Sequence, residues 1–240
     1  MLLETCERRK LAPLVVKIGG SLLSGQGQRL AGLVAIIARA RRPLVIVPGG
    51  GVFADAVRRM QTTHDVSDRA AHAMALLAMH QMGLLLQDMH PRLIAVETLA
   101  SVRQALAHNR IPVWLPLRLA ETDESIPADW SVTSDALAAR LAERLRIEGV
   151  LLVKSRRVPK GPTAEELAEQ GIVDPVFGEI VTRAGLAFRL LGPGEERELA
   201  EICLVAPFMP KHIRRLPGRI ERGRRGVRRL AGGAGTHTRG

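Results

Sequence analysis

Val15-Val16-Lys17-Ile18-Gly19-Gly20-Ser21 is one of two similar stretches that are the most informative part of this chain. The other follows about thirty residues later and reads Val45-Ile46-Val47-Pro48-Gly49-Gly50-Gly51. In each, a short β-branched run leads into a glycine turn and then into a helical pattern, which indicates a strand-turn-helix unit. A glycine turn lets backbone N–H groups approach an anion closely, and the N-terminus of the following helix adds a favourable dipole. Lys17 ends the first strand, where its ammonium can reach the same anion. Two such turns in neighbouring units predict a site that holds phosphate on two sides.

Strand and helix patterns alternate along the chain. The predicted strands are Leu14–Ile18, Leu44–Val47, Leu93–Val96, Val113–Leu117 and Val150–Val153. The predicted helices are Leu30–Ala40, Val52–Met60, a long helix capped by Asp65 or Ser67 and ending near Asp88, Ser101–Ala107 and Ser134–Arg146, with an irregular loop over 118–132. Because the strands are largely apolar and do not alternate with polar residues, both faces of the sheet are expected to be buried. The order therefore predicts an α/β fold with a mostly parallel sheet, in one large domain or at most two small ones.

Composition limits the classes of function. The chain of 240 residues is 46% hydrophobic but only 2% aromatic, so its core must rest on aliphatic residues and Met. Scarce aromatics also argue against single-stranded nucleic-acid binding, which uses aromatic stacking platforms. Of the 35 Lys and Arg residues, ten lie within 207–240 against the single acid Glu221, so the formal charge of +11 belongs mainly to this segment. We expect a polar lead-in over 1–12, a folded domain over 13–206 and a basic tail over 207–240.

The basic tail is expected to be disordered or weakly ordered. It leaves one route by which the chain could bind nucleic acid or another anionic partner. Cys6 and Cys203 are the two cysteines, and we expect free thiols in a reduced cytoplasm, with Cys203 structural. Neither a secretory signal nor an apolar run of membrane-spanning length is visible, which predicts a cytoplasmic protein with no membrane partner.

Two further segments carry candidate site residues. Asp135, in Thr133-Ser134-Asp135, falls in the first turn of a predicted helix. Its carboxylate could simply complement the helix dipole, or it could hold lysines or Mg²⁺ near a transferring phosphate, with Ser134 and Thr133 donating to phosphate oxygens. Lys154 follows a predicted strand, at the end where parallel sheets bind ligands. The alternative for Lys154 is a solvated loop lysine.

The predicted long helix contains several histidines but no metal pattern. His72 and His80 lie eight residues apart rather than at the i, i+4 spacing of a helical zinc pair, so no metal site is predicted. Asp68 and His72 are one helical turn apart and could contact a polar group of an acceptor beyond the second glycine turn. The methionines of this helix, Met74, Met79 and Met82, are expected to pack in the core.

Together, Val16-Lys17-Ile18-Gly19-Gly20-Ser21, Pro48-Gly49-Gly50-Gly51 and Thr133-Ser134-Asp135 resemble the amino acid kinase superfamily. The resemblance spans residues 14 to about 192. Three stretches are similar to the branch that acts in methanofuran biosynthesis, which phosphorylates aminomethyl-furanmethanol phosphate to its diphosphate. These stretches are 68–75, 111–116 and 129–135.

This resemblance implies a three-layer αβα sandwich in a homo-oligomer, with ATP and Mg²⁺ at the carboxyl side of the sheet. Lys17, Asp135 and Lys154 would be catalytic: Lys17 would neutralise the transferring phosphoryl group, Asp135 would orient lysines and Lys154 would contact ATP phosphate. The residues implied on the ATP side are Gly19, Gly20, Ser21, Ser134, Lys154 and Ser155. Those implied on the acceptor side are Gly49, Gly50, Gly51, Asp68, His72 and Thr133. Backbone N–H groups of Gly19, Gly20 and Gly50 would donate to the transferring group.

The chain departs from the superfamily after Ser155. Members usually continue with Asp-Gly in a nucleotide-site loop, whereas this chain has Arg156-Arg157-Val158-Pro159-Lys160-Gly161. Three alternatives to the furan-phosphate kinase therefore remain. These are another small-molecule kinase (for uridylate, isopentenyl phosphate or an acylamino acid), a non-catalytic binding or storage protein on the same fold, and a nucleic-acid binder acting through the tail.

Overall fold

A computed structural model of the protein describes residues 11–23, 27–204 and Phe208. Six parallel strands form one sheet in the order β3-β4-β2-β1-β5-β6. Their bounds are β1 Leu14–Ile18, β2 Leu44–Pro48, β3 Leu93–Val96, β4 Ile111–Trp114, β5 Gly149–Val153 and β6 Ala187–Leu191. The predictions for Cys6, the first ten residues and all of the basic tail except Phe208 lie outside the described residues.

Nine α-helices accompany the sheet in the described part of the chain. They are α1 Gln28–Ala38, α2 Gly51–His64, α3 Asp68–Met89, α4 Leu99–Ala107, α5 Leu117–Ala120, α6 Ser134–Leu145, α7 Ala164–Glu169, α8 Pro175–Ala184 and α9 Glu196–Leu204. A 3-10 turn, Gly20–Leu23, follows β1. None of these described helices combines the length and apolarity that a membrane span requires.

Side chains of the central strands point alternately to the two faces of the sheet, so the hydrophobic core has two parts. In β1, Leu14, Val16 and Ile18 pack on the face covered by α1 and α9, whereas Val15 packs on the opposite face beneath α6 and α8. Successive side chains of a strand point to opposite faces, so Lys17 leaves the sheet on the α6 side. The helices on both faces make a three-layer sandwich, which confirms the predicted fold class.

The direction in which successive strands are added to the sheet reverses beside β1. The connection from β1 to β2 runs through α1 on one face, and the connection from β5 to β6 runs through α8 on the other. Adjacent parallel strands whose connections leave in opposite directions open a crevice at their carboxyl ends. Lys17 and Lys154 lie at that crevice, at the ends of β1 and β5.

Most predicted elements are confirmed, with boundary shifts of a few residues. The fourth strand was placed wrongly, at Val113–Leu117. It runs over Ile111–Trp114 and includes Pro112, which lies beside Ile94 of β3. The N–H groups of Ile111 and Leu115 donate to Arg92 and Val96 on the β3 side, so backbone alternation turns the Pro112 nitrogen away from β3. The chain then turns into α5, which occupies the start of the segment predicted as irregular loop.

The long helix is capped by one of its two predicted candidates. The Ser67 hydroxyl accepts a hydrogen bond from the Ala70 N–H at 3.3 Å, which is the N-cap geometry. Asp65 instead ends α2 in the left-handed conformation, at φ 50°. The helix stops at Met89, just before Pro91, as predicted. Beyond β5 the sequence patterns predicted no elements, and α7, α8, β6 and α9 fill that region.

Candidate active site

Two buried lysines share one buried carboxylate at the centre of the crevice. Lys17 Nζ lies 2.9 Å from Asp135 Oδ1, and Lys154 Nζ donates to Asp135 Oδ2 at 2.5 Å. Lys154 also donates to the Ile172 carbonyl at 2.7 Å. Both carboxylate oxygens face ammonium groups, so the structure supports the lysine-holding alternative for Asp135 over simple capping. Lys154 is likewise buried rather than a solvated loop lysine.

Burial and the neighbouring charges shift the pKa values of Asp135 and Lys154. Burial raises the pKa of Asp135, but Lys17 and Lys154 outweigh it and hold that pKa below its usual range. Burial, followed by repulsion from Lys17, lowers the pKa of Lys154 to about 8. The N-terminus of α6 further favours the Asp135 carboxylate. The cluster therefore holds its ammonium groups close together around one carboxylate at neutral pH.

Asp174 is a site residue that the sequence analysis missed. Its Oδ2 accepts from the Thr133 N–H at 3.1 Å, the Thr133 hydroxyl at 2.8 Å and the Ala136 N–H at 2.9 Å, and its Oδ1 accepts from the Phe177 N–H at 2.9 Å. One carboxylate thus caps both α6 and α8 and fixes the turn that carries Asp135. Burial, and then the nearby Asp135 charge, raises the pKa of Asp174 to about 6. The Asp-Pro pair before a helical pattern is a start signal that could have located it.

The two glycine turns pack directly against each other. A Cβ on Gly20 would lie 2.0 Å from the Gly51 nitrogen, and a Cβ on Gly49 would lie 2.4 Å from the Gly20 nitrogen. Gly51 adopts φ 55°, and a Cβ there would also meet the Gly20 oxygen at 2.7 Å. These glycines are therefore required for contact between the turns, in addition to any approach of a ligand.

Some predicted donors are already used within the protein. The Gly19 N–H donates to the Val153 carbonyl at 2.9 Å, so the prediction that it donates to a phosphoryl group is wrong for this conformation. The Thr133 hydroxyl proton is likewise taken by Asp174 rather than left for phosphate. That Gly20 and Gly50 donate backbone N–H groups to a ligand stays a prediction.

A first cavity of about 230 Å³ opens beside the second glycine turn. Its polar wall consists of Lys17, Gly20, Ser21, Gly49, Gly50, Gly51, Asp55, Arg58, His72, Thr133 and Ser134. Its apolar wall consists of Ala54, Ala75, Leu76, Met79, Trp130, Val132 and Leu137. The predicted acceptor-side residues Gly49, Gly50, Gly51, His72 and Thr133 thus come together here. Ser134, which was predicted on the ATP side, lies here as well.

A second cavity of about 220 Å³ lies on the other side of Lys17. It is lined by Lys17, Gly19, Gly20, Ser21, Lys154, Ser155, Arg156 and Ile172. The hydroxyls of Ser21 and Ser155 are 2.6 Å apart and join the turns after β1 and β5. Three cationic side chains and two hydroxyls line this cavity, which suits a polyanion. Lys17, Gly20 and Ser21 border both cavities.

Asp68 and His72, predicted to act together, have different surroundings in the structure. His72 is buried against the first cavity, with Nδ1 3.2 Å from the Asp129 carbonyl. Asp68 is exposed, accepts from Gln61 Nε2 at 2.7 Å and does not border the cavity. Asp68 was therefore wrongly assigned to the acceptor side.

Arg58 and Trp130 form the outer rim of the first cavity and were not predicted. The Arg58 guanidinium lies 4.3 Å from the centre of the Trp130 ring, and Trp130 Nε1 donates to Gln61 at 2.6 Å. These contacts tie the loop before α6 to α2. Trp130 lies in the stretch 129–135 that carries the family resemblance, but no local pattern indicated its contact with α2, because the loop meets α2 only through the tertiary fold.

The remaining histidines and the described cysteine have other surroundings. His80 Nε2 accepts from the Leu117 N–H at 3.0 Å and joins α3 to α5. In the part of the chain that the structure describes, no three His, Cys, Asp or Glu side chains cluster closely enough to hold a metal ion. Cys203 is a free thiol in the core, and burial raises its pKa to about 11, which fits a structural role.

Comparison with known proteins gives consistent matches. The model of the amino acid kinase family matches residues 12–156. A curated relative from Methanocaldococcus jannaschii, [5-(aminomethyl)furan-3-yl]methyl phosphate kinase, is 27% identical over 138 residues, covering 58% of this chain and 63% of the relative. The chain thus aligns with less than two thirds of that relative's length.

Solved structures resemble the whole described domain. Uridylate kinase from Archaeoglobus fulgidus matches with a TM-score of 0.59 at 16% identity, over 79% of this chain and 94% of its own. UMP kinase from Bacillus anthracis gives a TM-score of 0.59 at 16% identity, over 81% of this chain and 93% of its own. At such identities the likeness establishes the fold.

Proposed function

Because this chain belongs to the amino acid kinase family, we propose that it transfers the γ-phosphoryl group of ATP to a small phosphate monoester. The observation that carries the proposal is the Lys17–Asp135–Lys154 cluster between two cavities that share Lys17. The second cavity is assigned to the polyphosphate of ATP, and the first cavity to the acceptor.

In the proposed reaction, an acceptor phosphate oxygen attacks the γ-phosphorus of ATP. A new P–O bond forms as the bond to the β-phosphate oxygen breaks, and ADP leaves with that electron pair. An anionic phosphate acceptor needs no general base, so positioning and charge stabilisation carry the step. Lys17 meets the charge on the transferring group and Lys154 meets the charge on the ATP side, while Asp135 offsets the repulsion between the two ammonium groups and orients them. Mg²⁺ on the polyphosphate would supply further charge neutralisation.

We assign [5-(aminomethyl)furan-3-yl]methyl phosphate as the acceptor and its diphosphate as the product. The curated relative that carries this substrate in its name supports the assignment. The first cavity is also small, with an apolar wall suited to a flat ring and the glycine turn suited to its phosphate. Asp55 and His72 offer polar contacts on the same wall.

The rate should depend on pH through Asp174 and Lys154. Asp174 must be ionised to accept its four hydrogen bonds, so kcat/KM for ATP should rise as pH increases through about 6. Lys154 must be protonated to meet phosphate, so kcat/KM should fall as pH increases through about 8. Bound polyphosphate should raise the pKa of Lys154. The alkaline decrease in kcat should therefore occur at higher pH than the alkaline decrease in kcat/KM.

The measurement is a pH profile of both constants for the wild type and for Lys154→Arg. The arginine stays charged at every pH used, so the residual activity of this variant should lack the alkaline limb. A wild-type kcat/KM that stays constant between about pH 7 and 9 would contradict the role of Lys154.

Arg156 should bind the ATP polyphosphate. It borders the second cavity and is held in place by a 2.6 Å hydrogen bond to the Gly171 carbonyl. We expect Arg156→Gln to weaken ATP binding about 10-fold, because a charge-assisted hydrogen bond contributes about 1.5 kcal/mol or more. The neighbouring Arg157 is exposed and does not border the cavity, so Arg157→Gln is the matched control. Equal ATP dissociation constants for the two variants would refute this role.

Turnover with a panel of acceptors tests the proposed function. Purified protein is incubated with ATP, Mg²⁺ and either the aminomethyl-furan phosphate, UMP or isopentenyl phosphate, and ADP is measured together with the diphosphate. We expect equal amounts of ADP and diphosphate with the furan phosphate. Turnover with UMP or isopentenyl phosphate alone would overturn the acceptor assignment, and ATP binding without any turnover would favour a storage protein.

A further inference from the structure

The first cavity is positive at its glycine turn and carries a carboxylate further along. At the turn, Lys17 and the N-terminus of α2 both favour an anion. Among the described residues that line this cavity, Asp55 alone has a carboxylate. Asp55 follows Gly51 by four residues on α2, so it lies about 6 Å further along the helix axis. A ligand that fills the cavity therefore meets positive charge at the turn and negative charge one helical turn away.

Arg58 occupies only part of the Asp55 carboxylate. Arg58 Nη1 donates to Asp55 Oδ1 at 3.0 Å, whereas Oδ2 accepts no hydrogen bond within the described part of the chain. Both side chains are half exposed, and an i, i+3 helix pair of this kind is weak in water. The Arg58 guanidinium is also engaged over the Trp130 ring, at 4.3 Å. The carboxylate is thus kept at the cavity and can still accept from a ligand.

His72 offers a second hydrogen-bond acceptor to the same cavity. Its Nδ1 lies 3.2 Å from the Asp129 carbonyl, and because a carbonyl can only accept, Nδ1 carries the proton. In the neutral ring Nε2 is then left with its lone pair. His72 is buried, and like Asp55 it lines the cavity. Two acceptors beyond the phosphate end suit a primary ammonium group, which has three N–H donors.

We propose that Asp55 selects an acceptor that carries a primary ammonium group. This inference rests on the proposed function, in which the acceptor phosphate lies at the second glycine turn. The proposed acceptor has its phosphate and its amine on separate substituents of one small ring. With the phosphate at the glycine turn, the ring lies along the apolar wall and the ammonium reaches Asp55. UMP and isopentenyl phosphate have no cationic group, so either would leave this carboxylate unpaired near a second anion.

Replacing the amine of the acceptor by a hydroxyl tests this role, because the change removes the charge and keeps the shape. The probes are the aminomethyl-furan phosphate and its hydroxymethyl analogue, each assayed at saturating ATP. The wild type should prefer the amine at least about 10-fold in kcat/KM, because a site built to pair a substrate group rejects the analogue lacking it. Asp55→Asn should lose most of this preference, chiefly through a higher KM for the amine, and should keep its KM for ATP.

Two further variants separate recognition of the amine from structural support. Arg58→Gln breaks the pair with Asp55 but leaves the carboxylate, so this variant should still prefer the amine. Asp88→Asn removes an exposed carboxylate near the end of α3, outside the cavity lining, and should match the wild type. Circular dichroism checks that every variant folds.

Equal kcat/KM of the wild type for the two furan compounds would overturn this inference and leave the proposed function standing. The inference would also fail if Asp55→Asn kept the wild-type preference, or if Arg58→Gln lost that preference to the same extent as Asp55→Asn. Turnover of UMP alone would instead refute the acceptor assignment, and the role of Asp55 with it.

Discussion

Replacing Asp135 by asparagine is expected to lower kcat by about 10²- to 10³-fold, the usual cost of losing one preorganised electrostatic group. The change removes the carboxylate that bridges Lys17 and Lys154 and offsets their repulsion. The ammonium groups would then repel each other across a few ångströms of buried space. Lys154, whose pKa is already lowered to about 8, would lose its proton near neutral pH. The site would keep its shape but lose the charge that meets phosphate.

The same variant should be less stable. Removing one partner of a buried ion pair costs about 3 to 5 kcal/mol, and proton loss from Lys154 limits the cost. The folded variant holds this proton more weakly than the folded wild type does, so the deficit should shrink as pH rises to about 8, where Lys154 of the wild type also loses its proton. Urea unfolding at neutral and alkaline pH measures this trend, alongside steady-state kinetics.

Asp65→Asn is the matched control for Asp135→Asn. Asp65 is exposed at the end of α2 in the left-handed conformation, which asparagine adopts equally well. Its kinetics and stability should match those of the wild type. If Asp135→Asn retained kcat within a few-fold, the lysine-organising role of Asp135 would be refuted.

Alanine at Gly20 is expected to disable the site through the backbone. The added methyl group would lie 2.0 Å from the Gly51 nitrogen and 2.4 Å from its Cα, and no rotamer change can move these atoms. The two turns would have to separate by more than an ångström. When a displacement of this size moves the reacting groups, it lowers kcat about 10²-fold. Overpacking should also lower the free energy of unfolding by about 1 to 3 kcal/mol.

Gly32→Ala is the control for Gly20→Ala. Gly32 lies in the exposed interior of α1, where an added Cβ would meet nothing within 4 Å. Because alanine is the better helix former, this variant should gain about 0.5 to 1 kcal/mol and keep full activity. Kinetics and urea unfolding distinguish the two glycines. Wild-type activity in Gly20→Ala would show that contact between the turns is not required.

Local patterns predicted five of the six strands and most helices, because each of these five strands is a short, largely apolar run near a glycine or proline. They failed where tertiary contacts override local rules. Pro112 sits inside β4, against the expectation that proline starts or avoids a strand. The donors toward β3 there include Ile111 and Leu115, and alternation turns the Pro112 nitrogen away from β3. Elements beyond β5 were not predicted, although Asp174-Pro175 carried a helix-start signal.

The site was predictable wherever a residue follows a strand. Lys17 and Lys154 lie on the same face at the ends of β1 and β5, and the pairing of these two strands brings them together. Asp174, Arg58 and Trp130 act across elements far apart in sequence, and no local spacing reports such contacts. Asp68 was misassigned because the i, i+4 rule gives neighbours on a helix but not which of them faces the cavity.

A crystal structure with ADP, Mg²⁺, aluminium fluoride and the acceptor found by the turnover assay shows whether the two cavities hold the two substrates of one reaction. We expect the nucleotide in the second cavity, the acceptor in the first, and the fluoride group between them, within about 3.2 Å of Lys17 Nζ. A terminal phosphate outside the second cavity, or a fluoride group beyond reach of Lys17, would contradict the assignment of the two cavities to one phosphoryl-transfer site.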